Sequence, residues 1–499
     1  MTIASVTSIV NGVVGDFLEE SGNELATQMA FHNLKDGQPL SLVSIAQSIA
    51  ASNCKRISIL LHGLVADEVS WKFSSGDYSD EILDYGSLLQ RDLPEDVMPL
   101  YLRYNTGLHI STNGCNFSQL MESLYQIIVR LNNERNDGSS TKHFVFVCHS
   151  MGGLVARSAT YHAQQQGLHW VHMVQHIIFL GTPHGGSYWE KAGNVVHSAL
   201  DAVPRPVTKL LANIANLRSD GIKDLRYGYI LEEDWKDREE SAGSEGNGQS
   251  NTSGTDKPKT QPTVVDLLEW ISYHFVTGTV TSNSNHPLSL VFGDGLVSKA
   301  SSRGRSLENE EESMEHSMKR QGSFREFAGV NHNGLQTNMQ VYNQILAWIK
   351  QSSPERDNAV DHISSSIGRR EGLLDQCQYL DDQSVQQLPG KWEKYSGACS
   401  LLQVAVDKGA TAVQNVQEHI ADEVYRVVGK IAPIAPVVTR IHKIHHLVCN
   451  AVFDVIRAVN HSSTESFKLV FRYMNTSEKC NGPFCEESSY ATSRQRKDR

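Results

Sequence analysis

The sequence has few cysteines for its size: eight in 499 residues, at Cys54, Cys115, Cys148, Cys377, Cys399, Cys449, Cys480 and Cys485. So few thiols in so long a chain do not make a disulfide scaffold, and the lack of any CxxC pair excludes a zinc site of that type. An excess of positive charge is also missing. Lys and Arg number 45 against 56 Asp and Glu, giving a net charge of −11, without the electrostatic footprint of a nucleic-acid binder. No run of about 18 apolar residues occurs, so no transmembrane helix is expected. The opening residues hold no Lys or Arg ahead of an apolar run, and Asn11, Gly12 and Asp16 break that run. Both features argue against a secretory signal and for a soluble cytoplasmic protein. Hydrophobic residues reach only 39 %, so some segments are expected to lie outside any core.

The length suits about three domains, or one α/β domain with insertions. The first fifty or so residues look helical, through Phe17, Leu18, Leu25 and Met29 and then a run from Leu40 to Ala51. From Arg56 the pattern changes to short apolar runs: Ile57 to Leu61, Val97 to Tyr104, His143 to Cys148, His176 to Leu180, Tyr273 to Val280 and Phe324 to Ala328. Near-continuous apolar strands of this kind mark a parallel sheet covered on both faces. Helical patterns lie between them, as in Phe117 to Asn132 and Met151 to Gln166. The alternation implies a doubly wound, mostly parallel α/β fold.

Ser187 to Pro262 contains no clear strand, and its Ser/Gly/Asn/Thr-rich part, Ser241 to Thr260, is expected to be mobile. Beyond Pro389 two long helical patterns, separated by Ala432-Pro433-Ile434-Ala435-Pro436, predict a helical hairpin. The expected division is a helical N-terminal extension (1–52), a catalytic domain (53–352) with an insertion at about 187–262, a polar linker (353–396), the hairpin (397–462) and a flexible tail (463–499).

Five short motifs carry chemistry. In Val147-Cys148-His149-Ser150-Met151-Gly152-Gly153 a serine ends an apolar strand and starts a helix, the nucleophile-elbow pattern, in which a sharp turn lifts the hydroxyl above the sheet. Small neighbours are needed where strand and helix backbones approach. Gly152 fits, while Cys148 stands where the first elbow glycine is usual. Leu60-Leu61-His62-Gly63-Leu64 closes the first strong strand and can turn the Leu64 N–H toward the site, to act with the N–H of Met151 as an oxyanion hole. Gly181-Thr182-Pro183-His184-Gly185 forms a turn after the next strand, and His184 is expected to line the cleft there. Asp294 sits between glycines in Phe292-Gly293-Asp294-Gly295, and His332 lies in Val330-Asn331-His332-Asn333-Gly334. The order Ser150, Asp294, His332, each beyond a strand's carboxyl end, points to a catalytic triad, because those ends converge in one crevice of an open α/β sheet. His62, Gly63 and His149 are the further candidates for substrate contact. His442, His445 and His446 show too few ligands on one helix face to make a metal site, and no metal or cofactor is expected.

Taken in order, LLHGL, CHSMGG, LGTPHGGS, FGDGLVSKAS and NHNGL resemble the α/β-hydrolase lipases and esterases, among them bacterial triacylglycerol lipases and the glycosylphosphatidylinositol-inositol deacylase-like group. The resemblance covers about Arg56 to Lys350 and implies catalytic roles for Ser150, Asp294 and His332, with a lid over an acyl pocket from Ser187 to about Pro262. It implies an ester or lipid substrate and transient contact with a membrane or lipid interface. Some members bind calcium through an Asp shortly after the catalytic His. Asn333, Gly334 and Leu335 stand there in this chain, so calcium is not expected. Two alternatives share the motifs: a thioesterase or amidase, and a weakly catalytic scaffold that binds a partner. The helical C-terminus either takes a protein partner, packs on the lid or packs on itself.

Overall fold

The structure is a computed structural model that describes residues 3–52, 54–73, 83–93, 97–135, 142–186, 219–236, 263–281, 294, 297–302, 322–351, scattered positions between 393 and 422, and 435–480. The chain divides into two compact units. The first takes in Met1–Phe17, Thr27–Val203 and Arg218–Leu388, and the second Leu18–Ala26, Pro204–Leu217 and Pro389–Arg499.

The first unit is a seven-stranded sheet with strand order β1-β3-β2-β4-β5-β6-β7. The strands are β1 (Ala30–His32), β2 (Arg56–Leu61), β3 (Val97–Arg103), β4 (His143–His149), β5 (Val174–Leu180), β6 (Ser272–Thr279) and β7 (Gly322–Ala328). Only β1 runs antiparallel, against β3; the other pairs are parallel. Every residue of β2, β4 and β5 is buried, as expected for central strands covered on both sides.

The two-residue strand period sorts the core into two layers. Ile57, Ile59, Phe144, Phe146, Cys148, Ile177 and Phe179 share one cluster with α2 (Leu42–Ala51), α4 (Ile110–Arg135) and α5 (Met151–Gln166). Leu60, Val145, Val147, Ile178 and Leu180 share the other with α3 (Tyr85–Asp92) and with α7 (Met339–Lys350). Helix ends follow local chemistry. The Asp84 carboxylate accepts from the N–H groups of Gly86 and Ser87 to start α3, Asn338 does the same for Gln340 and Val341 in α7, and Gly167, at φ 65°, ends α5 in the left-handed conformation.

Residues 1–52 are not a separate helical extension. They begin with α1 (Ile3–Glu20), but β1 adds a strand to the sheet beside β3, and Ile45, Ala46 and Ile49 of α2 enter the core. Phe31 is fully buried there. Of the expected lid, 187–218 and 237–262, including the segment expected to be mobile, lie outside the described residues. The described part is fixed to the body. It holds α6 (Asp220–Tyr227), whose Asp224 carboxylate accepts from Ile110 N–H at 2.8 Å and so caps α4. Ile222, Leu225, Ile230 and Leu231 join the core. The expected polar linker also falls almost wholly outside the described residues.

In the second unit, α8 (Ala435–Cys480) is a single helix of 46 residues. It continues through residues 463–480, expected to be part of a flexible tail. Between Val437 and Cys480 nothing breaks a helix, and the breakers Gly482 and Pro483 come just after its end. The described positions between 393 and 422 are helical too. Cross-links between the two are antiparallel: Gln403 to His461, Asp407 to Asn460, Gln414 to Asn450 and Asp422 to His442. These bonds pair the described positions of the two stretches side by side. Val455, Val459, Phe467 and Leu469 of α8 are more than half exposed. Among the described residues, no helix is long and apolar enough to cross a membrane.

Candidate active site

Parallel register brings the strand ends to one level. Leu61 of β2 lies opposite Cys148 of β4, Cys148 opposite Phe179 of β5, and His149 opposite Leu180. The next residues are thus His62, Ser150 and Gly181, neighbours above one edge of the sheet.

Ser150 has φ 53° and ψ −123°. Among described non-glycine residues only Ser150 and Val65 (φ 55°) have positive φ. Both are strained turns, and both flank the same strand ends; strain of this kind persists where the surrounding structure dictates it. At Ser150 it is held by the N–H bond to Leu180 O, 2.9 Å, and by close packing of α5 on β2. A Cβ on Gly152 would stand 2.7 Å from both Leu61 O and His62 O, so glycine is required at that junction. Cys148 does not disturb the turn, because its side chain points into the core layer under α4 and α5. Burial pushes its thiol well above the usual range, so it is no nucleophile.

His332 and Asp294 form a pair. His332 Nδ1 is 2.8 Å from Asp294 Oδ2, and the His332 N–H donates to Asp294 O at 2.9 Å. The other carboxylate oxygen accepts from Val297 N–H at 2.9 Å. A proton on Nδ1 facing the carboxylate leaves Nε2 as the basic nitrogen. Both residues are buried, as is Ser150 at 7 % exposure. A Cβ on Gly181 (φ 61°) would lie 2.9 Å from Asp294 Oδ2 and 3.0 Å from His332 Nδ1, so the pair sits directly over the turn that follows β5.

His149 joins the serine turn to this pair. Its Nε2 donates to His332 O at 3.1 Å, and the two rings lie 4.6 Å apart. Burial first, and the nearby His332 second, hold it well below the usual histidine range, so it is neutral. The geometry makes it a support of the His332 loop. Gly63 backs onto the same turn, where a Cβ would lie 3.0 Å from Ser150 Cβ.

Met151 N–H, in the first turn of α5, is among those with no acceptor within the helix, and it sits at the helix's positive end. Leu64 N–H is in the loop after β2. Arg103 holds that loop through an ion pair with Glu68, Nε to Oε2 2.8 Å, and Val65 N–H donates to Thr106 Oγ1 at 3.2 Å. Burial alone would raise the Glu68 carboxyl, but Arg103 outweighs it and leaves it below its ordinary value. His62 is fully buried and stacks on Tyr104 at 4.5 Å, with the Tyr104 hydroxyl donating to His62 O. Burial lowers its pKa to about 4.

His184 is brought into the interior. It lies edge-on to Phe179 and Phe275, with Nδ1 3.4 Å from Arg157, and burial followed by the Arg157 charge holds it well below the usual range. Sequence reasoning missed the supports of the loop after His332. The Tyr85 hydroxyl lies 2.8 Å from both Leu335 O and Asn338 O, and Gln336 donates to Ser70. A tyrosine in the first turn of a helix gives no signal of such a role.

The sheet order and the strained serine turn at the end of β4 define an α/β-hydrolase fold. Within it, residues 73–257 match the family model described as PGAP1-like alpha/beta domain. The match includes Ser150 and ends before Asp294 and His332. Similar solved structures include an esterase from Rhodococcus sp. ECU1013 (12 % identity, 61 % of this chain and 92 % of that one, TM-score 0.29). A phospholipase, PlaB, from Legionella pneumophila is 12 % identical over 63 % of this chain and 64 % of its own, TM-score 0.32. A thermophilic esterase from Thermogutta terrifontis is 13 % identical over 60 % and 91 %, TM-score 0.28. Scores this low carry nothing further for this chain. No curated protein matches it.

Proposed function

We propose that this protein is a serine hydrolase of carboxylic esters, with Ser150 as nucleophile, His332 as base and Asp294 as the acid that orients it. The observation that carries the reading is the buried His332–Asp294 pair, Nδ1 to Oδ2 2.8 Å, beside a serine in a strained turn. His332 Nε2 takes the Ser150 proton as the hydroxyl attacks the ester carbonyl. The N–H groups of Leu64 and Met151 receive the oxyanion, and protonated His332 then gives its proton to the leaving alcohol. Water, activated by the same nitrogen, releases the acid. The motif resemblance to lipases extends the substrate to lipid or acyl esters. His62 and Gly63 hold the oxyanion turn, and His149 holds the base. His184 supports the turn after β5 from below.

The test is a panel of esters of graded acyl length, with and without a detergent interface, run beside Ser150→Ala. Hydrolysis that depends on Ser150 and rises with an interface supports the lipid reading. Hydrolysis confined to short soluble esters leaves the esterase and removes the lipid. Equal rates for wild type and Ser150→Ala contradict both. A second reading, a hydrolase-fold scaffold, draws on the exposed apolar side chains of α8, Val455, Val459, Phe467 and Leu469. A folded protein that hydrolyses no member of the panel would favour it.

A further inference from the structure

His442, His445 and His446 of α8 show too few ligands on one helix face, but the opposing helix supplies another from outside that face. His442 and His446 are one helical turn apart, and their Nε2 atoms meet Asp422 Oδ1 of the opposing helix at 2.7 and 2.8 Å. The two Nε2 atoms are themselves 2.8 Å apart. The three donor atoms thus close a triangle at one point between the helices, all within 4.8 Å of one another.

We propose that Asp422, His442 and His446 bind a single first-row divalent cation, with zinc the best match, and that the cation fastens the two helices near the hairpin's connection. The donor set decides the class of ion. Two imidazole nitrogens and one carboxylate oxygen suit zinc and its neighbours, whereas magnesium and calcium prefer oxygen alone. The geometry fits. Zinc bonds of about 2.0–2.1 Å in a tetrahedron put ligand atoms about 3.3 Å apart, so the donor separations need grow only by about half an ångström. Hydrogen bonding alone accounts for the triangle less well. Both Nε2 atoms can donate to Asp422 Oδ1, but that arrangement sets two N–H donors against each other at 2.8 Å. A cation at the centre satisfies all three together.

The site is also held in advance. The hydrogen bonds from Gln403 to His461, from Asn460 to Asp407 and from Gln414 to Asn450 set the antiparallel register, which puts Asp422 level with His442 and His446. The side chains of Asp422, His442 and His446 are 56 %, 31 % and 28 % exposed, so the remaining coordination position is open to water and the ion can exchange. All three residues belong to the second unit, and the site is independent of the chemistry proposed at Ser150.

The test uses the full-length, untagged protein stripped with a chelator and dialysed. Zinc chloride is titrated into the wild type, Asp422→Ala and His442→Gln/His446→Gln, with bound metal measured by equilibrium dialysis and helix melting by far-ultraviolet circular dichroism. The exposed positions should tolerate these changes, and the metal-free spectra check that. The wild type should bind one more zinc than the double variant, and Asp422→Ala should weaken that site at least about tenfold. Zinc should raise the melting temperature of the wild type only. Equal stoichiometry and affinity in all three proteins, or an equal melting shift in the double variant, overturns the proposal.

Discussion

Ser150 adopts φ 53° in a non-glycine residue, a conformation kept only because the strand end, the α5 N-terminus and Gly152 leave the chain no other path. Strain of this kind presents the hydroxyl, and removing the hydroxyl does not release the turn. Ser150→Ala should therefore fold normally and lose about 10³-fold or more of kcat/KM, since only the oxyanion donors and binding remain. His332→Ala should be equally damaging. Asp294→Asn should cost less yet clearly lower turnover, because the imidazole is no longer held in one tautomer. His184→Ala should leave more activity than His332→Ala; the reverse order, in steady-state assays of both, would reassign the base. His62 gives a separate test through stability. Its pKa is about 4 in the fold and 6.5 as the free group, so between those values the unfolded chain binds a proton that the folded one does not. The stability due to neutral His62 is complete above pH ~6.5 and is lost as pH falls toward 4, up to about 3 kcal/mol. Melting temperature should fall more steeply over that window in the wild type than in His62→Gln. Parallel curves would mean that the imidazole is not desolvated.

Among the elements, two junctions carry the geometry. The loop with Leu64 is tied to β3 by the buried Glu68–Arg103 pair, with side chains 0 % and 11 % exposed. Removing one partner of such a pair leaves an uncompensated charge, so Arg103→Met should destabilise by about 3–5 kcal/mol and Glu68→Gln should recover part of it in the double variant, as denaturant unfolding would show. At Gly181, Ala would push on Asp294 and His332 directly, and displacing the pair by an ångström should lower kcat by about 100-fold with the fold retained. These junctions also mark what the sequence discloses. The six apolar runs all became strands within about two residues, and Ser150 and His332 stand just after β4 and β7, while the residues ahead of Asp294 lie outside the described ones. Ala30–His32 was hidden because three residues show no period. The fixed part of the insertion was hidden because its anchors, the Asp224 carboxylate capping α4 and four apolar side chains in the core, are contacts with distant segments. The Gly181 contact and the His149 bond to His332 O arise from register between strands, which no local pattern records. Asp422 is 20 residues from His442 in sequence, and only the hairpin's register makes them neighbours.

In the whole molecule, the division into units bears on where the chemistry ends. Every element of the proposed triad lies in the first unit, while Leu18–Ala26 belongs with the C-terminal helices, where Asn23 donates to Gly397 O at 3.0 Å. A chain ending at Ser352 should keep hydrolysis of a short soluble ester within a few-fold of wild type. It should also melt at a lower temperature, because residues 18–26 lose their partners. A folded truncation that fails on short esters would place the hairpin in the active site. The most direct measurement of the central claim is covalent labelling of the full-length protein by a fluorophosphonate, with the site found by peptide mass mapping. Such a probe reacts with a serine whose proton a neighbouring base can take. The account predicts one adduct, on Ser150, absent from Ser150→Ala and strongly slowed in folded His332→Ala. A folded wild type that takes no label, or takes it on any other residue, would contradict it.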